Sequence, residues 1–304
     1  MDRSTFSKMV DIAGTLARDT RRATQHVPPS AQSKPVADPR DLVTRALGIL
    51  AEDDTKGDDT RPTDLPLRRC VLSDGTQCLL PIRYFDVQCL VATFLTDLDR
   101  AAELLKGTGL IAVSQEDGKA AVMLYCIEYR ITDIGPYNEV GLTVLAEAPG
   151  DAIPANYVVN LPVTTAVAKR AGQEIWGYNK FVAAIDVNSD GKKFSTILRD
   201  TENAVVGALE GSRGASIPTP PTDILTFTLL NGKLIKTVIR VLTPFHASSG
   251  ESFVFKIGTS RHPMTNNLRT VALDGARPVL VQYADPFQAL LFPGRALYSL
   301  FRSY

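Results

Sequence analysis

Hydrophobic and polar positions alternate in short runs over most of the chain after Leu65. Such runs, rich in β-branched and aromatic residues and bounded by turn residues, predict β-strands. The predicted strands span residues 87–95, 120–131, 140–148, 157–161, 181–187, 194–199, 204–210, 225–230, 233–242, 253–257 and 280–283. Asn231-Gly232 separates two of these runs and predicts a tight hairpin.

Helical spacing of apolar residues is rarer in this part of the chain. Residues 96–106 predict a helix with Thr96 as its N-cap and Gly107 as its stop, and residues 164–173 predict a second helix that ends near Gly172. Many strands with few helices predict an α+β fold of mainly antiparallel strands, in a sheet or a barrel.

The first 64 residues have a different pattern of hydrophobic and polar positions. Residues 5–25 form an amphipathic helical pattern, 27–40 a proline-bearing linker, 41–52 a second short helix and 53–64 a polar linker. The first helix could pack on its own protein or on a neighbouring subunit, or lie on a membrane surface. We therefore predict an N-terminal helical and linker extension over 1–64 and one domain over 65–304.

Composition narrows the class of protein. Lys plus Arg and Asp plus Glu both number 33, so the chain lacks the basic excess of a nucleic-acid binder. No apolar run reaches the roughly 18 residues that a membrane span needs, and the N-terminus lacks the apolar core of a secretory signal. A reducing cytoplasm is the expected compartment.

Cysteine and histidine give no metal motif. No cysteine pair has Cys-x-x-Cys spacing, and the three histidines are scattered along the chain, so we expect reduced thiols and no metal. The cysteines are Cys70, Cys78, Cys89 and Cys126.

The segment from Ala171 to Ala183 combines features that suit an amine nucleophile. A helix ends, a tight Gly-Tyr-Asn stretch follows, and Lys180 opens an apolar strand. Removal from water disfavours the ammonium form, and a free amine can attack a ketone to form a Schiff base. Spacing alone is a weak signal, because a lysine at the start of a strand is more often a solvated charge.

This segment resembles the acetoacetate decarboxylase signature, roughly Gly-Arg-Glu-x-x-x-Tyr-Pro-Lys-Lys. Gly172, Glu174 and Tyr178 match the pattern, and Lys180 falls on the first lysine of the pair, which forms the Schiff base in that family. The resemblance runs without a gap from Tyr157 to Lys180.

Other segments resemble the same family in the same order, over about residues 66–304. Tyr137-Asn-Glu139 falls on the family's Tyr-x-Glu, whose glutamate lines the active site. The segments Thr96–Asp99 and Leu291–Leu297 are also similar. The resemblance implies a cone-shaped barrel or clam of strands, a lysine in its cavity, a homo-oligomer and no cofactor.

The chain departs from the signature at three positions. Asn179 replaces the usual proline and Gln173 the usual arginine. Phe181 replaces the second lysine, the cation held to lower the pKa of the nucleophile in this family. Burial would then have to favour the free amine. Phe181 is a candidate for lining the substrate site, where a ring beside Lys180 could help exclude water, whereas strand alternation would direct the two side chains to opposite faces.

Further residues are candidates for binding the substrate. Glu139 could move a proton or hydrogen-bond the substrate, or be a strand-end carboxylate in solvent. Arg83 is a candidate for a substrate carboxylate, because a planar guanidinium suits that group. Glu128 is a candidate second acid. Tyr137, Tyr178 and Trp176 are expected to line the site, although Trp176 could equally be core.

The leading hypothesis is a lyase that decarboxylates a β-keto acid or related oxo acid through an imine on Lys180, with Glu139 assisting. Aldolase or dehydratase chemistry through the same imine is an alternative, because the altered neighbours of Lys180 suit a diverged substrate. A small-molecule binding protein that keeps the cavity without the reactivity is the alternative from another class.

Overall fold

The computed structural model describes residues 67–115 and 118–299. The predicted extension over 1–64, with its two helices and two linkers, lies outside the described residues.

The described part of the chain is mainly strand. Its helices are α1 Leu98–Leu104, α2 Ala166–Trp176 and α3 Pro263–Thr270. Its strands are β1 Arg68–Val71, β2 Gln77–Leu80, β3 Ile82–Asp97, β4 Ile111–Ala112, β5 Lys119–Thr132, β6 Tyr137–Ala148, β7 Asp151–Asn160, β8 Ala184–Ser189, β9 Lys193–Arg199, β10 Val205–Ser212, β11 Ile217–Thr219, β12 Ile224–Leu230, β13 Lys233–Val241, β14 Phe245–Ser249, β15 Val254–Ile257, β16 Leu280–Leu291 and β17 Arg295–Ser299. None of these helices is both long and apolar enough to cross a bilayer.

Seven strands close into a barrel. The ring runs β3, β5, β6, β7, β12, β13 and β16, and β16 pairs with β3 again. All neighbours in the ring are antiparallel except β7 and β12. The predicted barrel of mainly antiparallel strands is confirmed. The hairpin between β12 and β13 turns at Asn231 and Gly232 with φ angles of 51° and 71°, as the sequence predicted.

The two faces of the barrel strands pack against different partners. One face is covered by α1, α3 and a four-stranded sheet of β8, β9, β10 and β15. The other face packs against α2 and the β1–β2 hairpin, and it carries a cluster of tyrosines. The middle of β6 is therefore buried on both sides, which explains its nearly continuous apolar sequence.

Two sequence predictions about helices need correction, and a third helix was not predicted. Thr96 and Asp97 belong to β3, so α1 begins at Leu98 and Thr96 is not its cap. Helix α2 continues past Gly172 to Trp176, and Gly177 follows as its C-cap, with a φ of 71° in the left-handed conformation that stops a helix. Helix α3 was missed because its sequence is mostly polar.

Candidate active site

The backbone around Lys180 is fixed by the end of α2 and by an extended segment that follows it. A side chain at Gly177 would place its Cβ 2.4 Å from the carbonyl oxygen of Leu229, so only glycine fits this turn. The next residues run alongside 161–163, because Leu161 N–H donates to the Asn179 carbonyl at 2.9 Å and Val163 N–H to the Phe181 carbonyl at 2.9 Å. Lys180 therefore precedes β8 and does not open a strand, contrary to the sequence prediction.

Lys180 and Glu139 meet in a buried ion pair. Lys180 Nζ donates to Glu139 Oε2 at 2.5 Å, and each side chain is only 6% exposed. The second carboxylate oxygen, Oε1, accepts from the Tyr129 hydroxyl at 3.1 Å. Glu139 lies on β6 and Tyr129 on the neighbouring strand β5, so the sheet register places both groups beside the lysine.

Four buried tyrosines surround this pair. The rings of Tyr129 and Tyr137 stack with centroids 4.2 Å apart, and Tyr84 lies 5.0 Å from Tyr129. Lys180 Nζ lies 5.8 Å from the ring centroids of both Tyr137 and Tyr178, within range of a cation–π contact. The aromatic walls restrict water around the amine.

The phenols in this cluster keep their protons. Burial raises the pKa of Tyr84, Tyr129 and Tyr137 well above the usual value, and the negative charge of Glu139 adds to the effect. Burial also raises the pKa of Tyr178, although its hydroxyl contact with Thr226 at 3.0 Å opposes the shift. These hydroxyls are therefore available as hydrogen-bond donors.

Helix α2 shapes the space that the lysine side chain occupies. Gly172 faces it so closely that an added Cβ would lie 2.5 Å from both Cδ and Cε of Lys180. Gln173, where the family has arginine, donates from Nε2 to the Lys180 carbonyl at 2.8 Å. Asn179, where the family has proline, donates from Nδ2 to the Val159 carbonyl at 2.8 Å. Both replacements hold the backbone around the lysine.

Phe181 points away from Lys180. Its ring lies 4.0 Å from the His262 ring and packs with the core on the other face of the barrel strands. Lys180 instead contacts Glu139 and the tyrosines. The two successive side chains thus face opposite ways, so residue 181 does not contact the amine directly.

Trp176 supports the tyrosine cluster from behind. Its side chain is buried, its Nε1 donates to the Phe292 carbonyl at 2.7 Å, and its ring stacks on Tyr178 with centroids 6.1 Å apart. Trp176 therefore packs against Tyr178, which flanks Lys180.

Arg83 and Glu128, two candidates for binding substrate, are not brought to Lys180. The guanidinium of Arg83 makes a two-pronged contact with Asp133, with Nε–Oδ2 and Nη2–Oδ1 both at 2.9 Å. Glu128 neighbours Tyr129 on β5 and therefore faces the opposite way, where Arg130 lies 3.9 Å from it. A substrate role for either residue stays a prediction.

The sequence reasoning missed Tyr84 and Tyr129. Tyr129 follows a residue already singled out, Glu128, and alternation along β5 puts it on the same face as the residue opposite Glu139. Pairing of the two strands would have identified it. Within the described ranges, no three His, Cys, Asp or Glu side chains are grouped so that they could hold a metal ion.

Comparisons with known structures agree on the fold. An acetoacetate decarboxylase from Legionella pneumophila superposes with a TM-score of 0.55 at 15% identity, over 89% of this chain and 99% of that one. The enduracididine biosynthesis enzyme MppR in complex with pyruvate gives 0.55 at 14% identity, over 73% and 91%. An acetoacetate decarboxylase-like enzyme from Sphingomonas wittichii RW1 gives 0.52 at 14% identity, over 70% and 91%.

Sequence comparison identifies the family. No curated protein matches the chain significantly. The family profile for acetoacetate decarboxylase (ADC), however, matches residues 72–236, which is more than half of the chain and includes the Lys180–Glu139 pair. The chain belongs to the acetoacetate decarboxylase family.

Proposed function

We propose that this protein is a Schiff-base lyase that decarboxylates a β-keto acid or a related oxo acid, with Lys180 as the nucleophile and Glu139 as its proton partner. The 2.5 Å contact between Lys180 Nζ and Glu139 Oε2, inside a buried tyrosine cluster, carries the proposal. Family membership supports an enzyme of this general kind.

The proposed reaction begins when Glu139 takes a proton from the Lys180 ammonium. The free amine attacks the ketone carbon, and the oxygen takes one proton from the attacking nitrogen. Glu139 returns its proton to the same oxygen, which leaves as water and gives the protonated imine. The electron pair of the bond to the carboxylate then moves into the protonated imine, CO2 departs, and an enamine remains. Protonation at carbon and addition of water release the ketone and restore the lysine. The imine serves as the electron sink, so the scheme draws on no metal or organic cofactor.

The protonated phenols suit the polar groups that form along this path. The Tyr129 hydroxyl fixes the orientation of the Glu139 carboxylate. Tyr137 and Tyr178 flank the position of the amine and would stabilise a cationic imine through their ring faces. Arg83 would bind a substrate carboxylate only by giving up part of its contact with Asp133.

Aldol or dehydratase chemistry through the same imine is a second candidate. One observation favours it: the fold of this chain also resembles MppR in complex with pyruvate and with the condensation product of pyruvate and imidazole 4-carboxaldehyde. Both candidates share imine formation at Lys180 and differ in which bond breaks or forms next.

The decisive experiment is borohydride trapping with a panel of oxo acids, read by intact mass and peptide mapping. We expect a reduced adduct on Lys180 with at least one substrate, and none in the Lys180→Met variant. Lys236→Met is the matched control, because Lys236 is a half-buried lysine whose side chain is 9% exposed and pairs with Asp151 at 2.7 Å.

Measured CO2 release then separates the two enzymatic candidates. Release together with an adduct supports decarboxylation, whereas an adduct that forms without CO2 supports aldol or dehydratase chemistry. No adduct on Lys180 with any oxo acid, in a folded protein that still binds such ligands, would replace both with a non-catalytic binding protein.

A further inference from the structure

The β1–β2 hairpin stands apart from the barrel sheet. Its two strands, Arg68–Val71 and Gln77–Leu80, pair only with each other in a separate two-stranded sheet. In that ladder Cys70 lies directly opposite Cys78. Directly opposed residues of an antiparallel pair have their Cα atoms about 4.5–5.5 Å apart and their side chains on the same face. A disulfide needs a Cα separation of about 4.4–6.8 Å, so this position meets the requirement.

The two thiols are close but unequal. Cys70 is half-buried and Cys78 is buried, and both are free thiols. Burial, with a smaller contribution from the adjacent Cys70 thiol, raises the pKa of Cys78 to about 11. Cys70, the more accessible of the two, is therefore the better placed to react first with a reagent from solvent.

We propose that Cys70 and Cys78 form a reversible dithiol–disulfide site, oxidised by small disulfides of the glutathione class. The Cys70 thiolate attacks one sulfur of the small disulfide, which forms a mixed disulfide and releases one small thiol. The Cys78 sulfur then attacks the Cys70 sulfur and its proton passes to the departing small thiolate, which closes the Cys70–Cys78 bond and releases the second small thiol. The protein loses two electrons and two protons, and the small disulfide gains both.

The other two cysteines of the chain do not share this geometry. Cys89 lies opposite Ile127, and Cys126 lies opposite Leu90 on the same pair of strands. Alternation therefore places the two thiols on opposite faces of the barrel wall, and both residues are almost fully buried. They supply an internal control for a reaction confined to the hairpin.

The hairpin contacts the residues around the candidate active site, so a change in the oxidation state of its cysteines could affect that site. Leu72 and Leu80 pack in the same core cluster as the tyrosines around Lys180. At the turn, Ser73 donates to Glu174 of α2 from its backbone nitrogen at 2.8 Å and from its hydroxyl at 2.5 Å. Glu174 is two residues from Gly172, which contacts the lysine side chain. A disulfide would cross-link the hairpin that α2 holds over this cluster.

The test equilibrates the full chain with mixtures of reduced and oxidised glutathione, traps free thiols with an alkylating reagent after acid quenching, and maps the peptides by mass spectrometry. We expect an intramolecular link between the Cys70 and Cys78 peptides, a loss of two hydrogens from the intact mass, and full reversal by a dithiol reductant. Cys89 and Cys126 should alkylate only after unfolding, and the Cys126→Ser variant should still form the link.

Two single variants assign the order of attack. Cys78→Ser should stop at a glutathione adduct on Cys70, whereas Cys70→Ser should acquire far less adduct on the buried Cys78. If Cys70 and Cys78 both stay free in the most oxidising mixture, or if the link forms only between chains or only after unfolding, the proposal is overturned. The thermal transition of each variant is measured as well, to verify that the protein is folded under the conditions of the reaction.

Discussion

At the scale of single residues, the Lys180–Glu139 pair concentrates charge in a buried place. Removing one partner of a buried ion pair typically costs about 3–5 kcal/mol, because the other charge is left without compensation. The pair persists here because both carboxylate oxygens are used, one by Lys180 Nζ and one by the Tyr129 hydroxyl. The same two contacts would fix the direction in which a proton moves.

Tyr129→Phe tests this arrangement without adding or removing a charge. Loss of a hydrogen bond to a charged group costs about 1.5–3 kcal/mol, so we expect lower stability and imine trapping slowed by roughly tenfold or more. Borohydride trapping under limiting substrate measures the rate, and denaturant unfolding measures the stability.

Tyr125→Phe is the matched control for that variant. Tyr125 lies on the same strand and face, and its hydroxyl makes no hydrogen bond to any part of the chain that the structure describes. Equal trapping rates for Tyr129→Phe and the unsubstituted protein would mean that Glu139 holds its position without the phenol.

At the scale of elements, α2 and the segment after it set the position of the nucleophile. The helix begins at Ala166 with the Thr165 hydroxyl as its cap and ends at Trp176, with Gly177 as its C-cap in the left-handed conformation. The extended chain beyond it is held parallel to 161–163. Glycine at 172 weakens the helix slightly by propensity, but it leaves room for the lysine side chain.

Gly172→Ala should separate helix stability from site geometry. Alanine is favoured over glycine inside a helix by about 1 kcal/mol, whereas the new Cβ would collide with Cδ and Cε of Lys180. The flexible lysine side chain would move away from Glu139. We expect strongly reduced adduct formation at Lys180 and a lower thermal transition, because separating a buried ion pair costs about 3–5 kcal/mol and outweighs the gain in helix propensity.

Gly214→Ala is the control, since its added Cβ meets nothing within 4 Å. It should leave both the thermal transition and trapping unchanged. Normal trapping by Gly172→Ala would show that Lys180 reacts from a displaced position, and it would remove the close approach of α2 from the account of the site.

At the scale of the whole molecule, one face of the barrel wall carries a layer of buried tyrosines, which α2 and the β1–β2 hairpin help to cover. Three adjacent strands, β3, β5 and β6, each contribute a tyrosine to it. The homo-oligomer, the cytoplasmic compartment and the domain boundary at residue 65 stay predictions.

The buried tyrosines predict how stability depends on alkaline pH. Burial raises the pKa of Tyr84, Tyr129 and Tyr137 in the folded state, whereas the unfolded chain ionises near the usual value of about 10. The native state then binds more protons than the unfolded state above that pH, so this stabilisation is complete below about pH 10 and is lost as the pH rises further.

Denaturant unfolding at a series of alkaline pH values and phenolate absorbance together measure this effect. The free energy of unfolding should fall above about pH 10. Exposed tyrosines should ionise first, and the buried ones only as the protein unfolds. A single ionisation step near the usual pKa in still-folded protein would mean that the cluster is open to water.

The sequence by itself determined the strand-rich class, the β12–β13 turn and the family. Alternation of apolar residues and the Asn231-Gly232 pair are local signals. The backbone preferences of neighbouring residues are enough to form a strand or a tight turn. The resemblance also identified Lys180 and Glu139 as candidate site residues, although 41 positions separate them in the sequence. In the folded chain they meet at 2.5 Å in a buried position, and their catalytic roles stay predictions.

Only the tertiary structure decided which further side chains meet the lysine. Tyr84 and Tyr129 join it because β3, β5 and β6 pair in one register, and a shift of one residue would turn each of them to the other face. Arg83 instead forms an ion pair with Asp133, and the Phe181 ring packs against His262, and both of these contacts join segments that are distant in the sequence. Contacts between distant segments depend on strand pairing and register, which no short stretch of sequence specifies.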